Sequence, residues 1–173
     1  MIDFTKSKQY TLSIRLSTDG FSFSIYNPIH DDSLSIIEKE IDTSLSLTAN
    51  LKAVFHESDF LNHPYKRVNI MMASKRFTIA PLDLFEEGQA ELLFYHNHQK
   101  RENETVLYNI LRKNNVAVIF GIDKSAQTFL NEQYPEARFY SQSTPFIDYF
   151  SVKSRLGNSK KMYASVRKDG IDI

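Results

Sequence analysis

The 173-residue chain contains no cysteine and no tryptophan, carries no formal net charge, and lacks any long uninterrupted apolar run. Without cysteine there are no disulfides, thiolate nucleophiles or cysteine zinc sites, and the composition fits a reducing compartment. Lys and Arg (21) balance Asp and Glu (21), so no broad field attracts nucleic acid or an acidic membrane surface. No segment approaches the roughly 18 apolar residues of a membrane-spanning helix. The opening residues, Met1-Ile2-Asp3-Phe4-Thr5-Lys6, lack the apolar centre of a secretion signal. The expectation is a soluble, cytoplasmic protein with no nucleic-acid or membrane partner. Two common catalytic signatures are also missing: the Gly-x-x-x-x-Gly-Lys-Ser/Thr phosphate loop and the Gly-x-Ser-x-Gly nucleophile elbow.

What the chain does contain is apolar and aromatic material enough for a core. The hydrophobic fraction is 42%, with 13 Phe and 9 Tyr, which excludes global disorder and implies aromatic-rich packing. The length suits one good core, or one domain plus the start of another. The most distinctive pattern occurs twice. Residues 10–25 and residues 162–173 align without a gap, so that Asp19-Gly20 falls on Asp169-Gly170. Leu12, Ile14, Leu16, Phe21 and Phe23 then fall on Met162, Ala164, Val166, Ile171 and Ile173. Alternation of period two on both sides of Asp-Gly is a hairpin signal, because Gly tolerates the positive φ of a tight turn.

Between the two hairpins the pattern changes repeatedly. Residues 34–42 alternate as a third strand, and Leu45 to Phe55 recur at near-helical spacing with Thr43 or Ser44 available as N-cap. Residues 68–73 and 76–80 read as strands, the second stopped by Pro81, and Leu82–Tyr95 reads as a helix. Residues 104–121 form a further hairpin turning at Lys113-Asn114-Asn115, whose second arm, Val116–Phe120, is apolar enough for burial on both faces. Asp123 can cap a helix running to about Gln133. Ala137–Tyr140 is a short strand, and residues 143–156 form a helix with Pro145 in its first turn. This order predicts a mixed α/β fold with segregated antiparallel hairpins, not a regular alternation of strand and helix.

An opening hairpin, further α/β material and a second copy of the hairpin resemble the layout of the actin-like ATPases, which have two ribonuclease-H-like lobes with nucleotide between them. More narrowly, the chain resembles an uncharacterised Bacteroidetes family with an actin-like ATPase fold and no assigned function. The residues carrying that likeness are Tyr10–Tyr26, Ile79–Phe85, Val116–Ile122 and Val166–Gly170, and it covers essentially the whole chain. It implies a first lobe over residues 1–156, a linker at 157–160 and the first strand and turn of a second lobe at 161–173, the remainder of that lobe being cut short. It also implies where nucleotide would sit: Arg15, Asp19 and Gly20 in the first hairpin, with Lys168, Asp169 and Gly170 in the second. Both hairpins depart from the superfamily pattern. Asp19 and Gly20 are adjacent, and Phe21 and Ile171 stand where small residues would let phosphate approach, so obstruction is expected there. Arg15 reverses the charge of a carboxylate expected near a metal. These departures argue against ATP hydrolysis.

Other chemistry is weaker. His96 and His98 would share a face on a strand and could then hold a metal, but the helix expected before them makes them surface or capping residues. Glu86, Glu87 and Glu91 suit the first turn of that helix. Phe21, Phe23 and Tyr26 could stack bases, yet alternation assigns them to the core. Lys153, Arg155, Lys160, Lys161, Arg167 and Lys168 lie in a stretch without carboxylates, readable as a solvated linker and hairpin or as an anion contact. The leading expectation is a non-catalytic binding or assembly module with no catalytic residue, metal or cofactor. It would act through a protein partner or homo-oligomer, with an open strand edge at residues 162–173. The alternative is a weak nucleotide-binding ATPase, with ATP and Mg, whose cleft uses Arg15, Asp19 and Lys160–Lys168.

Overall fold

The computed structural model describes residues 2–28, 34–155, 161–167 and 170–172. The first hairpin forms as the alternation requires. Strands β1 (Thr11–Ser17) and β2 (Gly20–Tyr26) pair antiparallel, with Leu12, Ile14, Leu16, Phe21, Phe23 and Ile25 all on the buried face. Strand β3 (Leu34–Lys39) adds antiparallel to β2. Helix α1 (Leu47–Glu57) then crosses back, and β4 (Arg67–Ala73) pairs parallel with β1.

The cap of α1 is Ser46, whose Oγ accepts from Ala49 N at 3.1 Å, rather than Thr43 or Ser44. Asp42 is the reason: its carboxylate accepts from both Ser44 N (2.9 Å) and Ser44 Oγ (2.6 Å). Asn50 reinforces this turn, accepting from Asp42 N at 2.8 Å and donating to Asp42 O at 2.9 Å. A local side-chain turn has taken the hydroxyl that the helix would otherwise use.

Strand β5 (Phe77–Pro81) is followed by two short 3-10 turns, Leu82–Leu84 and Glu87–Gln89, and helix α2 begins only at Ala90 (Ala90–Asn97). The helix expected from Leu82 is shortened because Phe85 and Glu86 are extended, with ψ 123° and 132°, as the Phe85 ring packs on Tyr108 at 5.1 Å between centroids, and Gly88 weakens the turn that follows. Strands β6 (Glu104–Leu111) and β7 (Val116–Asp123) form the next hairpin, turning through Asn115 in the left-handed region at φ 54°. Strands β5, β7 and β6 make a three-stranded antiparallel sheet.

Helix α3 (Lys124–Gln133) is capped by Asp123, whose Oδ1 accepts from Ala126 N at 2.8 Å. Strand β8 (Arg138–Ser141) joins β4 in parallel, and α4 (Ser143–Arg155) follows. The five-stranded sheet has the order β3-β2-β1-β4-β8. Its inner face meets α1 and α3, which touch through Phe55 against Phe129 at 5.1 Å between ring centroids. Strand β7 is buried from Ala117 to Ile122. Phe120 and Ile122 join this main core, whereas Ile119 joins a second cluster around Phe94.

Strands β9 (Ser165–Arg167) and β10 (Gly170–Asp172) form a separate two-stranded antiparallel sheet. Arg167 faces Gly170 as Ser17 faces Gly20. The turn between them, with Lys168 and Asp169, and the linker at 157–160 lie outside the described residues.

Candidate functional site

The outer face of the five-stranded sheet is the opposite of its inner one. Alternation that buries Leu12, Ile14 and Leu16 turns Ser13 and Arg15 outward. The same rule turns out Ser22 and Ser24 on β2, Arg67, Asn69 and Met71 on β4, and Arg138 and Tyr140 on β8. Strand register sets these side chains in rows. One row runs Ser24, Ser13, Asn69, Arg138 and the next runs Ser22, Arg15, Met71, Tyr140. Leu111 and the start of α4, with Thr144, Pro145 and Asp148, wall the face into a trough of about 600 Å³.

Asn109, flanked by Tyr108 and Ile110 on strand β6, fixes that wall. Its Nδ2 donates to Phe139 O at 2.9 Å, and its Oδ1 accepts from Ser141 N (3.0 Å) and Thr144 Oγ1 (2.7 Å). One side chain therefore ties β6, β8 and the first turn of α4 together, and thereby places Arg138 and Tyr140. Nothing in the sequence reading singled it out. An amide between Tyr108 and Ile110, in the apolar half of a strand, is the signal that could have done so.

Among the described residues, three arginines line the trough, Arg15, Arg67 and Arg138, against one carboxylate, Asp148. Arg15 Nη1 lies 3.5 Å from Asp19 Oδ1, with both side chains partly exposed, a pair worth about 0–1 kcal/mol. Among the described residues, Arg67 and Arg138 are exposed and have no carboxylate within ion-pair distance.

At the turn of the first hairpin, Thr18 and Asp19 span the bend and Gly20 opens β2 at φ 144°. A hydrogen bond with Ser17, and then the charge of Arg15, hold the Asp19 carboxyl below the usual carboxylate range. A Cβ on Gly20 would come within 2.9 Å of Lys39 O, a backbone atom that cannot swing away. Gly20→Ala therefore meets both an unfavourable φ and a clash, and should cost about 1–3 kcal/mol in urea denaturation. A loss below about 0.5 kcal/mol would show that the turn relaxes freely.

The obstruction expected from Phe21 does not arise, because its ring lies inside the core, 2% exposed, and not over the turn. Phe23 is likewise core, while Tyr26 is exposed at the end of β2, contrary to its assignment to the core. Of the six residues expected at a nucleotide, Arg15, Asp19 and Gly20 are brought together. Lys168 and Asp169 lie outside the described residues, and Gly170 pairs with Arg167 in the separate hairpin.

A second cleft, of about 430 Å³, opens at the carboxyl ends of β1, β4 and β7. Both of its carboxylates already have partners. Glu104 receives two bonds from Arg76, at 2.8 and 2.7 Å, and Asp123 caps α3 while accepting from Asn103 Nδ2 at 2.7 Å. His96 and His98 do not converge on a metal position. His96 sits in the last turn of α2, and His98 follows that helix with Nε2 3.1 Å from Phe77 O. No group of three His, Cys, Asp or Glu suited to a metal ion occurs among the described residues.

A family model described as protein of unknown function (DUF3822) matches residues 1–173. The chain belongs to this family. Its structure is similar to a crystal structure from Bacteroides thetaiotaomicron, described as a protein with actin-like ATPase fold and unknown function. The two share 85% sequence identity and superpose with a TM-score of 0.94 over 99% of this chain and 67% of the other. At that identity the fold is common to both, so the mixed α/β, actin-like ATPase fold implied by the sequence holds for this member of the family. No curated protein matches the chain. No helix among the described residues is long and apolar enough to cross a membrane.

Proposed function

We propose that this protein is a non-catalytic binding module that acts through protein contacts in the cytoplasm, built on a ribonuclease-H-like lobe. The observation that carries the reading is the open outer face of the five-stranded sheet. It offers arginines, hydroxyls and exposed apolar side chains, and among the described residues its lining has a single carboxylate, Asp148, where a phosphoryl-transfer site needs several that converge. The topology supports the lobe assignment: three antiparallel strands, β3-β2-β1, are continued by the parallel strands β4 and β8. The shared register of the two Asp-Gly hairpins supports an internal repeat, with residues 161–173 opening a second lobe. Their short antiparallel pair also supplies the kind of strand edge through which copies of a chain can associate.

The competing reading is a weak nucleotide-binding ATPase using Arg15, Asp19 and the basic stretch Lys160–Lys168, with Mg-ATP as ligand. Its support is the fold of the similar crystal structure, together with the cleft beside the Ser17–Thr18 end of β1. Isothermal titration with Mg-ATP separates the two. The binding-module reading predicts no heat of binding at about 1 mM nucleotide, and micromolar affinity would overturn it.

A further inference from the structure

We propose that the outer-face trough is a docking groove for an extended, acidic peptide segment of a partner protein. This rests on the binding-module reading above and adds the chemistry of the partner.

Charge complementarity gives the sign. The chain as a whole is neutral, yet the trough gathers three arginines against one carboxylate. Arg15 is partly neutralised by Asp19, whereas Arg67 and Arg138 stand without ion pairs among the described residues. Guanidinium groups favour carboxylates because two N–H donors match two oxygens in one plane. Arg67 is two residues before Asn69 on β4, and Asn69 pairs with Arg138 on β8, so the two unpaired arginines are diagonal neighbours on one face. Such neighbours can hold adjacent carboxylates, or clamp a single one.

Shape gives the length and polarity of the segment. The trough's lining runs from Ser24 on β2 through Ser13 and Asn69 to Arg138 on β8, and the same row continues past it over the outer face to Ile36 on β3, five strands in all. Four spacings of about 4.8 Å make roughly 19 Å, the reach of about six extended residues. At the β3 end, Leu34 and Ile36 are 57% and 60% exposed, with Tyr26 beside them. At the β4–β8 end stand Arg67 and Arg138, with Arg15 on the central strand β1. The hydroxyls between can serve backbone donors and acceptors without demanding a particular side chain. The groove therefore fits a segment that is apolar at one end and carries two or more carboxylates at the other. A nucleic-acid strand fits less well, since aromatic rings do not alternate with the arginines along the trough.

The test uses fluorescence anisotropy on the whole chain. The probe is a fluorescein-labelled octapeptide with two leucines at one end and three glutamates at the other. The expected result is saturable binding below about 1 mM that weakens about tenfold or more in the R67E/R138E variant. It should weaken less in R67Q/R138Q. Both arginines are exposed, and unchanged circular dichroism and melting show that each variant folds. The I36S variant should also weaken the peptide, through the apolar end. Absence of binding at about 1 mM, or binding indifferent to the arginine changes, overturns the proposal. So does tighter, arginine-dependent binding of an oligothymidylate of equal length, which would make the groove a nucleic-acid site. If sedimentation shows that wild-type copies associate and R67E/R138E abolishes this, the groove belongs to a second copy and the peptide proposal also fails. Failure here with silent Mg-ATP leaves the binding-module reading standing, whereas Mg-ATP binding removes that reading itself.

Discussion

Glu104→Ala is expected to lower stability by about 3–5 kcal/mol, among the largest effects of any single substitution in this chain. The Glu104 side chain is 5% exposed and that of Arg76 16% exposed. Arg76 Nε and Nη2 reach the two carboxylate oxygens at 2.8 and 2.7 Å, a fork-to-fork pair. The guanidinium is further held by Gln99 O, 2.8 Å from Nη2, and by the Phe94 ring, 5.4 Å from its centre. Removing the buried carboxylate leaves a partly buried cation at the edge of the second cleft, with one carbonyl and the face of the Phe94 ring as its remaining partners, and that loss of compensation dominates. Gly121 belongs to the same arrangement, because a Cβ there would collide with the Glu104 carboxylate and crowd Phe94. Urea denaturation measures the effect. The double variant R76M/E104M should recover most of it, since a buried pair replaced by apolar groups of similar size is often neutral. A loss below about 1 kcal/mol for E104A would show that water reaches Arg76 and that the pair is effectively a surface one.

Phe23→Ala should cost about 3–5 kcal/mol by leaving a cavity in the main core. Phe23 is fully buried, opposite Ile14 on β1 and Ile37 on β3, with Phe60 edge-on at 5.6 Å between centroids. The neighbouring position supplies the control. Ser24 lies on the other face of the same strand, so Ser24→Ala should change stability by no more than about 0.5 kcal/mol. The contrast between adjacent residues is the direct consequence of period-two geometry. Comparable losses at both positions would mean that helices or another chain cover the outer face as well.

The hairpins, the Asp123 cap, the Asn115 turn and the doubly buried strand β7 were legible because each depends on a few neighbouring residues. Asp123 meets Ala126 N within one helical turn, and Asn115 takes the left-handed conformation that a short turn demands. The early part of the Leu82–Tyr95 segment departs from a helix because Phe85 and Glu86 are extended where the Phe85 ring packs on Tyr108, a contact distant in sequence. Thr43 and Ser44 were misread as caps because Asp42 competes for Ser44, a contest that propensity cannot rank. Phe21 is expected both to obstruct phosphate beside Gly20 and, by alternation, to join the core; the core position holds and removes the obstruction. The candidate site was legible only at Arg15. Arg67, Asn69, Arg138 and Tyr140 are far from it in sequence and carry no motif.

By itself, then, the sequence determined most of the elements, the inward-facing residues of the first hairpin and the place of its tight turn before Gly20. Those follow from backbone sterics and side-chain period, which act over two to four residues. Only the tertiary structure decided which strands lie side by side, and so which outward residues share a face. Parallel pairing of β4 with β1 and of β8 with β4 sets Arg15, Arg67 and Arg138 along one trough. That register is fixed by burying apolar side chains on the opposite face, so the arginines are assembled by packing in which they take no part.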